Sequence, residues 1–113
     1  MFLCGSKIMK FTIQEMLAKL PFPANEKWKE GVWDVEPFKK GSVSLVFFAP
    51  RGTDYQTLHE EDEFYFIVSG KSELIIDNER FTCVVGDVFF VPAKLPHHFE
   101  NFSDDFATWA IFF

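Results

Sequence analysis

From about residue 30 onward the apolar residues fall into short runs separated by turn-forming residues at steady intervals. Strands are predicted over 32–36, 42–49, 63–68, 73–76, 80–84, 88–91, 97–101 and 107–113. Between them stand Pro50-Arg51-Gly52, Ser69-Gly70, Asp77-Asn78-Glu79, Gly86-Asp87 and the 92–96 segment bounded by two prolines, all of them turn signals. Many short strands of this kind predict an antiparallel sandwich or barrel rather than an α/β fold. The N-terminal part differs. Thr12-Ile13-Gln14-Glu15 has the spacing of a capping box. Ile13, Met16, Leu17 and Leu20 follow at helical spacing, and Pro21 and Pro23 end the element. A short helix over 13–20 therefore precedes the strands.

Composition sharpens this picture. A chain of 113 residues fits one domain, and at that size roughly 65% of the unfolded surface is buried on folding. Hydrophobic residues make up 48%, with 16 Phe and 3 Trp, which excludes a disordered chain. So heavy an apolar load predicts a lined cavity, a dimer interface or both, and the Phe-rich outward faces predict a homodimer through sheet packing. The net charge of −6 argues against a nucleic-acid partner, which needs a basic face. No window reaches the roughly 20 apolar residues of a membrane helix, and MFLCGSKI lacks the pattern of a secretory signal. Residues 1–10 are read as a flexible extension, with Met9 an alternative start. Cys4 and Cys83 make no disulfide framework; one exposed and one buried thiol suit a reducing cytoplasm.

Candidate chemistry begins at LHEEDEFYFIVSG, residues 58–70, where His59 precedes four consecutive acids. His59 and Glu63 have the same parity, and side chains of equal parity share a strand face. Glu63 heads a run that is apolar on both faces. A carboxylate buried there needs hydrogen-bond donors or a cation, and a divalent metal with His59 as co-ligand would serve. The alternative is a rim position. Glu60, Glu61 and Asp62 read as solvated loop acids. The second half supplies GDVFFVPAKLPHHFEN, residues 86–101, in which His97 and Asn101 share a face and His98 takes the other.

These two stretches resemble the paired motifs of the cupins, small jelly-roll β-barrels. The first cupin motif reads G…H-x-H, three or four residues, Glu, six residues, Gly; His59, Glu63 and Gly70 fall on it. The second reads Gly, five residues, P-x-G, two residues, His, three residues, Asn; Gly86, Pro92, His97 and Asn101 fall on it. The resemblance spans 43–113. Thr57 stands where the first histidine belongs, and Lys94 replaces the glycine of P-x-G. The resemblance implies an antiparallel jelly-roll barrel and a divalent transition metal (Fe, Mn, Ni or Zn) held by His59, Glu63 and His97. Two histidines and one carboxylate with open positions form a set associated with non-haem iron. Thr57, Gln56, Tyr65, Phe99, Asn101 and Trp109 are the candidate pocket residues around it. Lys94 is either solvated or a holder of an anionic substrate group. Two functions follow: a metal-dependent isomerase or dioxygenase acting on a small polar metabolite, or a non-catalytic sugar or metabolite binder with a degenerate metal site.

Overall fold

The computed structural model describes residues 7–113; Cys4 and most of the predicted 1–10 extension lie outside the described residues. Helix α1 spans Ile13–Lys19. The strands are β1 Asp34–Lys40, β2 Val43–Phe48, β3 Glu63–Ser69, β4 Lys71–Ile76, β5 Glu79–Val84, β6 Val88–Val91, β7 His97–Glu100 and β8 Ala107–Phe112. They form two antiparallel sheets, one in the order β1-β2-β8-β3-β6 and one in the order β5-β4-β7. Among the described residues no helix is long and apolar enough to cross a membrane.

The capping box forms as expected: Thr12 Oγ1 accepts from the Glu15 amide at 3.1 Å, and the Thr12 amide donates to Glu15 Oε1 at 3.2 Å. Strand β1 departs from expectation. It begins at Asp34 and runs on to Lys40, through Pro37. A proline is tolerated because β1 is the sheet's edge strand and its register shifts between Val35 and Phe38. The β4–β5 turn is also tighter than predicted, since Glu79 already pairs with Ile76. Asp77 and Asn78 take φ of 45° and 73°, the two left-handed residues a type I′ hairpin requires.

Alternation along β3 divides its side chains between two environments. Glu63, Tyr65 and Ile67 are buried between the sheets, while Phe64 and Phe66 point outward. Residues directly opposite across strands share a face, so the register carries this division to the neighbours. Tyr65 pairs with Ala110 and Phe89, and Glu63 with Phe112 and Val91, all inward. Trp109 pairs with Phe66 and Phe47 on the outer face. The interior cluster is Phe48, Tyr65, Ile67, Leu74, Cys83, Val91, Phe99, Phe106 and Ala110. A second cluster lies outside the large sheet, where Met16 of α1 packs with Phe47, Ala49 and Ala107. Fully burying each such large side chain is worth about 1.5–3 kcal/mol, and the helix is held by that contact rather than by its seven residues alone.

Gly70 links β3 to β4 and carries the chain from one sheet to the other. Its φ is +68°, and a Cβ there would lie 2.7 Å from Asp105 Oδ1 and 2.8 Å from Phe106 Cα, and closest of all to Ser103 Oγ. The motif glycine is thus required twice over, by backbone conformation and by space.

Candidate metal centre

The segment between β2 and β3 is not a strand but a loop tied down at several points. The His97 amide donates to Thr57 O at 2.8 Å, the Lys94 amide donates to His59 O at 2.6 Å, and Asp62 exchanges backbone hydrogen bonds with Phe113. This tethering brings His59 against the start of β3 and the start of β7. Ligand atoms of His59, Glu63 and His97 all lie within 4.8 Å of one another. The ring centroids of His59 and His97 are 5.2 Å apart.

Glu63 and His97 are almost wholly buried, at 1% and 3% exposure. His97 Nδ1 lies 2.9 Å from Leu95 O. A carbonyl only accepts, so Nδ1 carries the proton and Nε2 is left facing Glu63. There it stands 3.0 Å from Glu63 Oε1. The pair is close but not aligned as a hydrogen bond, and Nε2 and both Glu63 oxygens are buried without a hydrogen-bond partner. Orphaned buried groups are rare and each costs about 1–3 kcal/mol, more when charged. In a neutral ring the Nε2 lone pair would oppose an ionised carboxylate oxygen, so the gap calls for a proton or a bound cation. The donor set suits a divalent transition metal. The Leu95 carbonyl is the kind of outer contact that fixes a ligating imidazole.

The electrostatics agree. Burial pulls the His97 pKa down, but the Glu63 carboxylate and the Leu95 carbonyl outweigh it and leave the value raised. The His59 pKa is lowered, chiefly by burial and also by His97, against the opposing pull of Glu63. The Tyr65 phenol is raised well above its ordinary value, first by burial and then by the charges of Glu63 and Asp54, so it remains a neutral donor.

The predicted pocket residues divide. Gln56 and Tyr65 line a cavity of about 310 Å³ together with His59 and Glu63. Tyr65 Oη donates to Gln56 Oε1 at 3.2 Å, and His59 Nε2 is 3.1 Å from the same oxygen. Thr57 is exposed and takes no part in the cavity. Strand parity does not apply in a loop, so the inward position falls to Gln56 instead. Phe99 is buried beneath the site, packed on Tyr65 and Phe106 with ring centroids 4.9 Å away in each case, and fills the interior rather than lining the cavity. Trp109 is on the other side of the sheet, edge-on to Phe47 at 5.0 Å. Asn101 does not share the His97 face: β7 ends at Glu100, Asn101 turns to φ 52°, and its amide donates to Glu73 on the outer surface at 2.6 Å.

The four acids are also sorted. Glu60 and Glu61 are exposed, and Glu61 reaches the rim of the cavity. Asp62 is not merely solvated; it is half-buried and accepts from the Ala93 amide at 2.9 Å. His98 points away and meets Glu100 at 2.7 Å. The Lys94 side chain is 71% exposed and lies 4.0 Å from Glu60. Its backbone φ of 66° explains why a glycine would suit that position.

Several contributors were not evident in the sequence. Trp28, Phe48 and Phe112 form the apolar wall of the cavity, and Asp34 and Glu36 stand at its mouth. Asp54, 6% exposed, accepts from the Gln56 amide at 3.0 Å, from Gln56 Nε2 at 2.6 Å and from the Phe99 amide at 2.8 Å. Its signal was an acid two residues before the amide it accepts, the spacing of an Asx turn. Burial raises the Asp54 pKa in spite of those three donors.

Known proteins share this architecture. The profile of the cupin domain matches residues 44–113, and the chain belongs to the cupin family. An uncharacterized protein of Streptomyces coelicolor is 35% identical over 71 residues, covering 63% of this chain and 68% of that protein. The crystal structure of a Cupin 2 conserved barrel domain protein from Salinispora arenicola superposes with a TM-score of 0.61 at 21% identity, over 71% of this chain and 73% of that one. A point mutant of salicylate 1,2-dioxygenase from Pseudoaminobacter salicylatoxidans, solved in complex with gentisate, superposes with a TM-score of 0.57 at 19% identity; the match covers 63% of this chain but 20% of that one. At such identities the structural matches speak for the barrel alone.

Proposed function

We propose that this cupin binds a divalent transition metal through His59, Glu63 and His97, and presents it to a small polar metabolite in the cavity beside it. The observation that carries the reading is the buried, unpartnered Glu63 carboxylate 3.0 Å from His97 Nε2. When bound, such an ion supplies Lewis acidity at its open positions for polarising a substrate oxygen. The chain's own residues do the rest. Leu95 O holds the His97 ring so that Nε2 faces the site. Trp28, Phe48 and Phe112 exclude water from one side of the cavity. Tyr65 holds its proton and offers it to an acceptor at Gln56.

The mouth favours one class of ligand. Asp34, Glu36 and Glu61 outnumber the single Lys39 there, so a neutral or cationic polar molecule is admitted more readily than an anion. A volume of about 310 Å³ sits at the small end of ligand cavities. We also propose that the protein is a homodimer. Phe64, Phe90 and Phe113 pack on one another on the outer face of β3 and β6, where Phe90 is 49% and Phe113 42% exposed. Buried Cys83, whose thiol is pushed up to about 12 mainly by burial, is an inert core residue that suits a reducing cytoplasm.

The test is metal analysis of untagged protein beside a Glu63→Gln variant, before and after reconstitution with Fe(II), Mn(II), Ni(II) and Zn(II). Near-stoichiometric metal that falls sharply in the variant is expected. No binding of any of the four by the wild type would overturn the reading.

A further inference from the structure

Gln56 occupies a singular place. Its Nε2 is 2.6 Å from Asp54 Oδ2. With the amide reversed, an amide oxygen would face a buried carboxylate oxygen at that distance, so the orientation is forced. Oε1 must therefore point the other way, into the cavity. There it lies 3.1 Å from His59 Nε2 and accepts from the Tyr65 hydroxyl.

The distances on the two sides of the site match. His97 Nε2 and Glu63 Oε1 are 3.0 Å apart, and His59 Nε2 and Gln56 Oε1 are 3.1 Å apart. Two donors at right angles around one ion, each bonded at about 2.1 Å, stand about 3.0 Å from one another. Both pairs have the spacing of an edge of one coordination shell.

We propose that Gln56 Oε1 is the fourth protein donor of the metal centre, and that Asp54 is the positioning residue that aims it. The inference rests on the metal-binding reading above. The loop residue one place before Thr57 takes over the part of the missing histidine, with a neutral oxygen in place of an imidazole. Asp54 suits the positioning role because its remaining contacts, with the amides of Gln56 and Phe99, fasten it to the loop and to β7 together. It thus couples the donor to the strand that carries His97.

The probe is Co(II), titrated into untagged full-length protein and followed by its visible d–d absorption. Gln56→Ala is expected to weaken Co(II) binding by about 10–100-fold and to shift the d–d bands as water replaces a protein donor. Gln56→His is expected to bind at least as tightly as the wild type. The thermal midpoint of each metal-free variant serves as the folding control, since Gln56 also partners buried Asp54 and Tyr65. Asp54→Asn is expected to weaken binding when Gln56 is present and to have little effect when position 56 carries histidine, a ring that needs no amide to be oriented.

The outcomes separate cleanly. If Gln56→Ala binds Co(II) within twofold of the wild type with an unchanged spectrum, Gln56 is no ligand while the three-residue site stands. If Asp54→Asn weakens binding equally in both backgrounds, its role is structural only. A wild type that binds no Co(II) overturns the metal reading itself, and this inference with it.

Discussion

Replacing Gly70 by alanine isolates the geometric cost of the crossing between the two sheets. Two penalties are expected. A residue with a Cβ held at φ +68° loses about 1–2 kcal/mol. The new methyl also meets Ser103, Asp105 and the backbone of Phe106, and overpacking of that kind costs about 1–3 kcal/mol more. The loop it strikes cannot move freely. Ser103 N donates to Lys71 O at 2.9 Å and Ser103 Oγ accepts from Lys71 N at 2.9 Å, so displacement breaks the ties that fasten 101–105 to the start of β4. The total is about 2–5 kcal/mol, a large part of the stability of a domain this size. Gly41→Ala is the matched control, since φ there is +60° and nothing stands within 4 Å. It should lose only about 1–2 kcal/mol, for backbone strain alone. The small gain from a stiffer unfolded chain is common to both and cancels in the comparison. Urea denaturation of the metal-free protein at an m of about 2 kcal/mol/M reads these losses as midpoint shifts of roughly 1–2.5 M and 0.5–1 M. Equal shifts in the two variants would refute the claim that space, and not backbone conformation alone, demands glycine at position 70.

Three further outcomes are expected. Lys94→Gly should stabilise the protein by about 0.5–1 kcal/mol, as relief of a left-handed residue exceeds the added freedom of the unfolded chain; a loss of stability in urea would contradict it. In the metal-free protein the stability that His97 contributes should be lost as pH rises, and the difference from Glu63→Gln isolates it from the opposite slope of His59. His97 has a raised pKa, so its contribution is complete below the unfolded value of about 6.5 and vanishes as pH passes through the folded value. Urea midpoints in chelator at pH 6, 7 and 8 check this, and parallel pH profiles for the wild type and Glu63→Gln would contradict it. Sedimentation velocity at micromolar concentration should find a dimer, with Phe90→Glu shifting it toward monomer; a monomeric wild type would contradict the pairing through β3 and β6.

Much of the fold was legible because its determinants are local. Thr12 and Glu15 signal a helix start by their own hydrogen bonds. Gly70 and the Asp77-Asn78 pair mark positive φ. Within a strand, alternation alone places Glu63 with Tyr65 and Ile67, and His97 apart from His98; His59, in a loop, was named with them through the cupin motif. The misplacements have separate causes. Gln56 and Thr57 lie in a loop, where tethers to β7 and not a two-residue period decide which side chain turns inward. Trp109 was ambiguous until the register set it opposite Phe47 and Phe66. Asn101 left its expected face because the backbone becomes left-handed one residue after β7 ends.

The chain therefore announces its strands and its helix through short-range rules of periodicity, capping and turn chemistry, and its three candidate ligands through motif spacing shared with the cupins. Only packing between distant segments decides what completes the site. Asp54, Gln56 and His59 share one loop, yet what they do depends on the Phe99 amide of β7 and the Tyr65 hydroxyl of β3 arriving beside it. Contacts of that range arise from how the sheets and their loops close upon one another, and no local pattern encodes them.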